Sequence, residues 1–121
     1  MSKESRMKEF YIETNSFAAP FFSDRDFFYI KAETPQAALR ECASKYKHPA
    51  GLYAAAAYSS ADAKNKGAKP LAVWLSNHAK AMEEATKGKG SYSCHGLAPG
   101  VFEIDGKRVE VENPKGGSVQ S

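Results

Sequence analysis

Residues 70–88 read PLAVWLSNHAKAMEEATKG, and the choice of period in this stretch decides the fold. Leu71, Trp74, Leu75, His78, Met82 and Ala85 recur in steps of three and four. That spacing lays one apolar stripe along a helix. Pro70 suits a first helical turn, where its missing N–H has no partner to lose. Gly88 suits the left-handed residue that closes a helix. The pattern therefore predicts one long helix over 70–88, anchored by the only tryptophan. An isolated amphipathic helix is marginal in water, so the stripe needs a sheet to cover.

The flanking segments supply that sheet. Residues 9–14 (EFYIET) and 26–32 (DFFYIKA) are aromatic and β-branched and read as strands. In the second, alternation sends Phe28, Ile30 and Ala32 to one face and Phe27, Tyr29 and Lys31 to the other. Apolar weight on both faces means double cover or an interface. Between them, 15–24 (NSFAAPFFSD) reads as a loop whose Phe17, Phe21 and Phe22 are too apolar for a plain solvated turn. They plug the core or line a pocket or subunit contact. Thr34-Pro35 starts a helix by hydroxyl cap and proline at the first position. It should run to about Lys47 and bury Ala38, Leu39, Cys42 and Tyr46. Residues 52–58 (LYAAAAY) are ambiguous by alanine content; their shortness, flanking Gly51 and two tyrosines favour a strand. Ser60 caps a single helical turn within 60–67. After Gly88, residues 89–100 are glycine-rich and free of acids.

Residues 101–111 (VFEIDGKRVEV) form a β-hairpin about Asp105-Gly106. Pairing across that turn sets Ile104 opposite Lys107, Glu103 opposite Arg108 and Phe102 opposite Val109. The expected architecture is α+β: an antiparallel sheet with two helices, order β-β-α-β-α-β-β, ending in the hairpin. Residues 1–8 and 113–121 are expected to be flexible ends around a single domain, 9–112.

The chain has 121 residues, 42% of them apolar, enough for one core. No apolar run approaches a membrane span. The polar N-terminal ten residues have no apolar stretch of a secretion signal. The net charge is +3 and the pI near 8.8. That balance allows a small anionic partner, while a DNA or RNA polymer demands a denser basic footprint.

Chemistry-bearing groups are sparse. Cys94 and His95 are neighbours and point apart in extended chain, so Cys94 reads as a small buried thiol rather than a nucleophile. His48, His78 and His95 with Cys42 and Cys94 show no metal-ligand spacing. No phosphate-binding loop or dinucleotide fingerprint occurs, and neither a cofactor nor a metal is expected. Arg25 beside the aromatic strand and Arg108 on the outer face of the hairpin are the notable pair. Guanidinium planes stack on bases and grip phosphates. Asn77 and Tyr92, with Ser91 and Ser93, offer hydrogen bonds to a polar ligand. Each arginine also has a plain alternative: Arg108 as a cross-strand partner of Glu103, and Arg25 in a solvated turn between Asp24 and Asp26.

The element order, the length and the segments KEFYIETNSFAAPFFSD, HPAGLYAAAAY, KPLAVWLSNHA and FEIDGKRVEV resemble the first type of phage Thoeris anti-defence proteins, over roughly residues 8–112. The resemblance implies a homo-oligomeric, non-catalytic sponge. Such a protein sequesters a cyclic ADP-ribose isomer, and in some members cyclic oligonucleotides, in the cytoplasm of the infected bacterium. It implies that Arg25 and Arg108 hold the adenine and phosphate portions, with Asn77, Tyr92 and the backbone about Phe17 and Ala18 as neighbours. Two other classes stay open: a protein–protein inhibitor anchored by Phe17, Phe21 and Phe22, and a small enzyme using Cys94 with a distant histidine.

Overall fold

A computed structural model describes residues 7–16, 25–47, 51–86, 100–104 and 106–120. The elements run β1 (Lys8–Ser16), β2 (Arg25–Ala32), α1 (Pro35–Lys45), β3 (Leu52–Tyr58), α2 (Ala61–Asn65), β4 (Ala72–Ser76), α3 (Asn77–Thr86), β5 (Val101–Ile104), β6 (Lys107–Glu110) and β7 (Gly117–Gln120). Five strands form one antiparallel sheet in the order β2-β1-β3-β4-β7, and β5 and β6 form a separate hairpin. The class is α+β, as the sequence predicts.

Alternation divides the sheet into a core face and an open face. On the core face Phe10 and Ile12 of β1, Ala55 and Ala57 of β3, and Ala72 and Trp74 of β4 form one cluster with Ala38, Leu39 and Cys42 of α1. Five small side chains in that cluster let α1 lie close on the strands. Thr34 caps α1, its Oγ1 accepting the Ala37 N–H at 3.1 Å, and Pro35 opens the first turn. Ser60 caps α2 in the same way through the Ala63 N–H. At the far end of β1 the register slips: Asn15 faces Ala54, but Ser16 faces Leu52. Tyr53 is the extra residue, a bulge that returns Leu52 to the core face.

The sequence pattern misplaces two elements. Residues 70–88 are not one helix. Ala72–Ser76 is strand β4, with Ala72, Trp74 and Ser76 buried in alternation, and α3 begins only at Asn77. Trp74, His78 and Met82 are four apart, so the stripe runs unbroken through a strand–helix junction that it cannot reveal. Val73 and Trp74 favour a strand, and the buried Ser76 hydroxyl accepts the Ala79 N–H to cap α3. Leu71, assigned to the stripe, is half exposed. The other misplaced element is the C-terminal segment. It is no flexible tail: Gly117–Gln120 is edge strand β7, paired with β4 through Val73↔Gln120, Trp74↔Val119, Leu75↔Ser118 and Ser76↔Gly117. Glycine here answers close approach. A Cβ on Gly117 would stand 2.5 Å from Trp74 Cζ2 and closer still to Leu75 O. Gly117→Ala is therefore expected to lower stability by about 1–3 kcal/mol through overpacking. Amide exchange should report the loss first in β7.

The hairpin register matches expectation, with Glu103↔Arg108, Phe102↔Val109 and Ile104↔Lys107. Gly106 has φ +77°, the left-handed conformation that a two-residue turn needs.

Candidate functional site

One end of the sheet collects the features of interest. Antiparallel order brings the end of β1, the starts of β2 and β3, the end of β4 and the start of β7 to the same side. A single row, Arg25–Asn15–Ala54–Leu75–Ser118, crosses all five strands near that side. Asn77 follows directly from β4.

Asn77 is held by the turn that leads into β7. Its backbone N–H donates to Gly116 O at 2.6 Å, and its side-chain Nδ2 donates to Asn113 O at 2.9 Å. The His78 N–H donates to Pro114 O at 3.3 Å. The leading N–H groups of α3 are thus taken by carbonyls of residues 114 and 116 and by Ser76, which uses up the anion-attracting donors of that helix end. The structure gives Asn77 the role of a clamp on the 113–116 turn.

His78 seats the hairpin on the sheet. The ring is buried, its Nδ1 accepts the Gly100 N–H at 2.8 Å, and it lies edge-on between Tyr53 and Phe102, with centroids 5.8 and 5.3 Å away. Phe102 is fully buried. Burial lowers the His78 pKa below the ordinary imidazole value. With Nδ1 accepting, the neutral ring carries its proton on Nε2. A proton on Nδ1 sets a donor against the Gly100 N–H. A depressed folded-state pKa means that the unfolded chain takes the proton first. Stability is then fully present above the unfolded value, about 6.5, and falls as pH drops through it. The urea midpoint should decline below about pH 6.5, and faster exchange at the Gly100 and Val111 amides should accompany it. A midpoint flat through that range would contradict the neutral, accepting His78.

Arg108 is exposed on β6, facing Glu103 across the hairpin, as the pairing predicts. The backbone of Arg25 opens β2 opposite Asn15, while the placement of Phe17, Ala18, Tyr92 and Cys94 falls outside the described residues. The other cysteine, Cys42, is buried on the core side of α1; burial, with Glu41 adding to it, pushes its thiol up to about 11. It is protonated at neutral pH and unsuited to attack.

Among the described residues, three of the hollows beside the sheet bear on the question. On the open face, Ala54, Ala56 and Val73 floor a trough of about 290 Å³ beside Glu13, Asn15 and Tyr58. Glu13 is already engaged, accepting from Tyr11 Oη at 3.0 Å and pairing with Lys64 at 2.9 Å. A second hollow holds Lys31 with Glu33 and Glu41. The third, about 460 Å³, lies between α1 and β7 against Trp74, Gly117 and Val119; its charged lining residues are Arg40 and Lys115, with no carboxylate. Of the three it is the one whose charge suits an anion. Sequence reasoning passes over it. Arg40 is one of several charges on a helix, and Lys115 sits in Pro-Lys-Gly-Gly, a string that reads as slack chain unless the close approach of Gly117 to the indole is known.

No family model matches the chain, and no curated protein or solved structure matches it either. Among the described residues no cluster of His, Cys, Asp and Glu is arranged to hold a metal ion, and no helix is long and apolar enough to cross a membrane.

Proposed function

We propose that this protein is a non-catalytic phage anti-defence protein that binds a cyclic nucleotide immune signal, a cyclic ADP-ribose isomer or a cyclic oligonucleotide, and withholds it from its effector. The resemblance to the first type of Thoeris anti-defence proteins supplies the ligand class. The observation that supports the reading is topological: the start of β2 at Arg25, the Asn77 clamp and the base of the hairpin that bears Arg108, held by His78, all belong to one end of the sheet, with β1 and β3 between β2 and β4. The carboxylate-free groove with Arg40 and Lys115 begins at the same end, where residues 115–117 lead into β7. Flat delocalised cations on separate elements suit a ligand that is both ring-bearing and anionic, because a guanidinium stacks on a base and pairs with a phosphate. Sequestration asks only for affinity, so no nucleophile or general base is required. The place of action is the cytoplasm of the infected bacterium, and the assembly is a homo-oligomer.

The test is to purify the protein from cells that carry a TIR-domain signalling system and identify released small molecules by mass spectrometry. A cyclic ADP-ribose isomer or cyclic oligonucleotide, stoichiometric and intact, is the expected result. Recovery of a stoichiometric host protein with no nucleotide would overturn the reading in favour of a protein–protein inhibitor.

A further inference from the structure

We infer that two copies of this chain join edge to edge through β2, antiparallel about a two-fold axis at Tyr29, to make one continuous ten-stranded sheet. The inference names an interface for the assembly that the functional reading expects, but it stands on strand geometry alone.

Strand β2 is an outer strand of the sheet, and its inner side is fully used by β1 in an unbroken register from Lys8↔Ala32 to Asn15↔Arg25. Among the described residues no strand pairs with its outer side. An exposed edge of eight residues offers a row of N–H and C=O groups to another strand. Natural edges are blunted by proline, a bulge, brevity or charge; β2 has no proline and no bulge over its eight residues, and its charged residues, Arg25, Asp26 and Lys31, leave Phe27, Phe28, Tyr29 and Ile30 between them. Exposed apolar side chains concentrate here. Of the five large exposed hydrophobic residues described, Phe27, Phe28 and Tyr29 lie on β2, and Met7 immediately precedes the β1 residue that pairs with its last position. Phe27 is 63% exposed and Tyr29 59%.

Symmetry restricts the register. A two-fold axis relating antiparallel edges stands perpendicular to the sheet, so each residue meets one on its own face. Only registers in which paired residues are an even number of positions apart are allowed. Centring on Phe28 sets Arg25 against Lys31, like charges in direct opposition. Centring on Tyr29 instead sets Phe27 against Lys31 twice, and Phe28 against Ile30 twice. The next pair out sets Asp26 against Ala32, and beyond it position 25, an arginine, comes level with position 33, a glutamate just past the end of the strand, at both ends. A lysine over a phenylalanine face is attractive, and the outer pair is of opposite charge. The same register also continues a row of rings. Tyr58, Tyr11 and Tyr29 stand side by side on the open face, Tyr11 lying 6.4 Å from Tyr58 and 5.4 Å from Tyr29. The two-fold at Tyr29 would run this belt from one copy into the other.

The experiment uses the full chain with Cys94→Ser, so that introduced thiols are the reactive ones and Cys42 stays buried. Tyr29→Cys meets itself across the axis, where opposed Cα atoms lie about 4.5–5.5 Å apart, within the span of a disulfide. Mild oxidation should convert it almost completely to a covalent dimer on a non-reducing gel. Lys31→Cys alone should stay monomeric on the gel, its copies being offset by four residues, about 13 Å. Mixed with Phe27→Cys, it should give the heterodimer. Light scattering of the parent protein should show a dimer or a multiple of it. A monomer in scattering, or equal cross-linking of Tyr29→Cys and Lys31→Cys, would overturn the inference. Nucleotide binding by a monomer would overturn it while leaving the sequestering role intact, and a dimer that binds no nucleotide would do the reverse.

Discussion

Trp74→Ala is expected to lower stability by about 3–5 kcal/mol, the usual cost of removing a large buried aromatic. That is a large part of the roughly 5–15 kcal/mol that holds a domain of this kind together. Trp74 is buried on the core face of β4, opposite Ala55 and Val119, and belongs to the cluster under α1. Its ring also supports β7, since Gly117 passes close against it. Losing the indole removes packing from the central sheet and from its last strand together. Leu71→Ala is the informative control. Leu71 precedes β4 and is half exposed, so the change should stay within about 0.5 kcal/mol. On a single helical stripe the two residues would be partners with comparable costs. Urea midpoints of the two variants therefore test the strand directly, and equal losses would contradict it.

The other large effect concerns binding. Arg25→Ala and Arg108→Ala are each expected to weaken binding of a cyclic ADP-ribose isomer by about a hundredfold, at the lower end of the roughly 2–5 kcal/mol that follows removal of one partner of a close charge pair. Arg108 is exposed, so thermal stability should hold. Arg40→Ala and Lys115→Ala measure the neighbouring groove, where longer-range attraction alone predicts losses below about tenfold. If the order reverses, with the groove variants losing a hundredfold and the two arginines little, the ligand sits between α1 and β7 instead. Binding by all four at parental strength would contradict an anionic ligand at this end of the sheet.

What the sequence discloses and what it conceals follow from the range of the interactions involved. Local signals carry well. Thr34-Pro35 and Ser60 cap the helices that they announce, and Asp105-Gly106 marks the hairpin with its correct register, because caps and two-residue turns are decided within four residues. Alternation in 26–32 likewise separates Phe27 and Tyr29 from Ile30 and Ala32. Two failures arise where distant partners decide. Residues 72–76 satisfy a helical period only because the stripe passes through Ser76 into α3. Their strand is fixed by Ala54, Ala55, Ala56 and Ala57 on one side and by 117–120 on the other. The glycines of 113–121 suggest slack when read alone, yet Gly117 is there because the indole leaves no room for a side chain. Of the candidate site, Asn77 was legible as a residue of interest but its task was not. Its side-chain hydrogen bond spans thirty-six positions to Asn113, and no local pattern announces it.

Under the proposed function the protein holds a cyclic nucleotide without altering it. The most direct measurement is a calorimetric titration with the cyclic ADP-ribose isomer, followed by heat denaturation and mass analysis of the released ligand. Saturable heat and a ligand recovered with its ring intact are expected. No heat of binding, or a ligand returned cleaved, would contradict it.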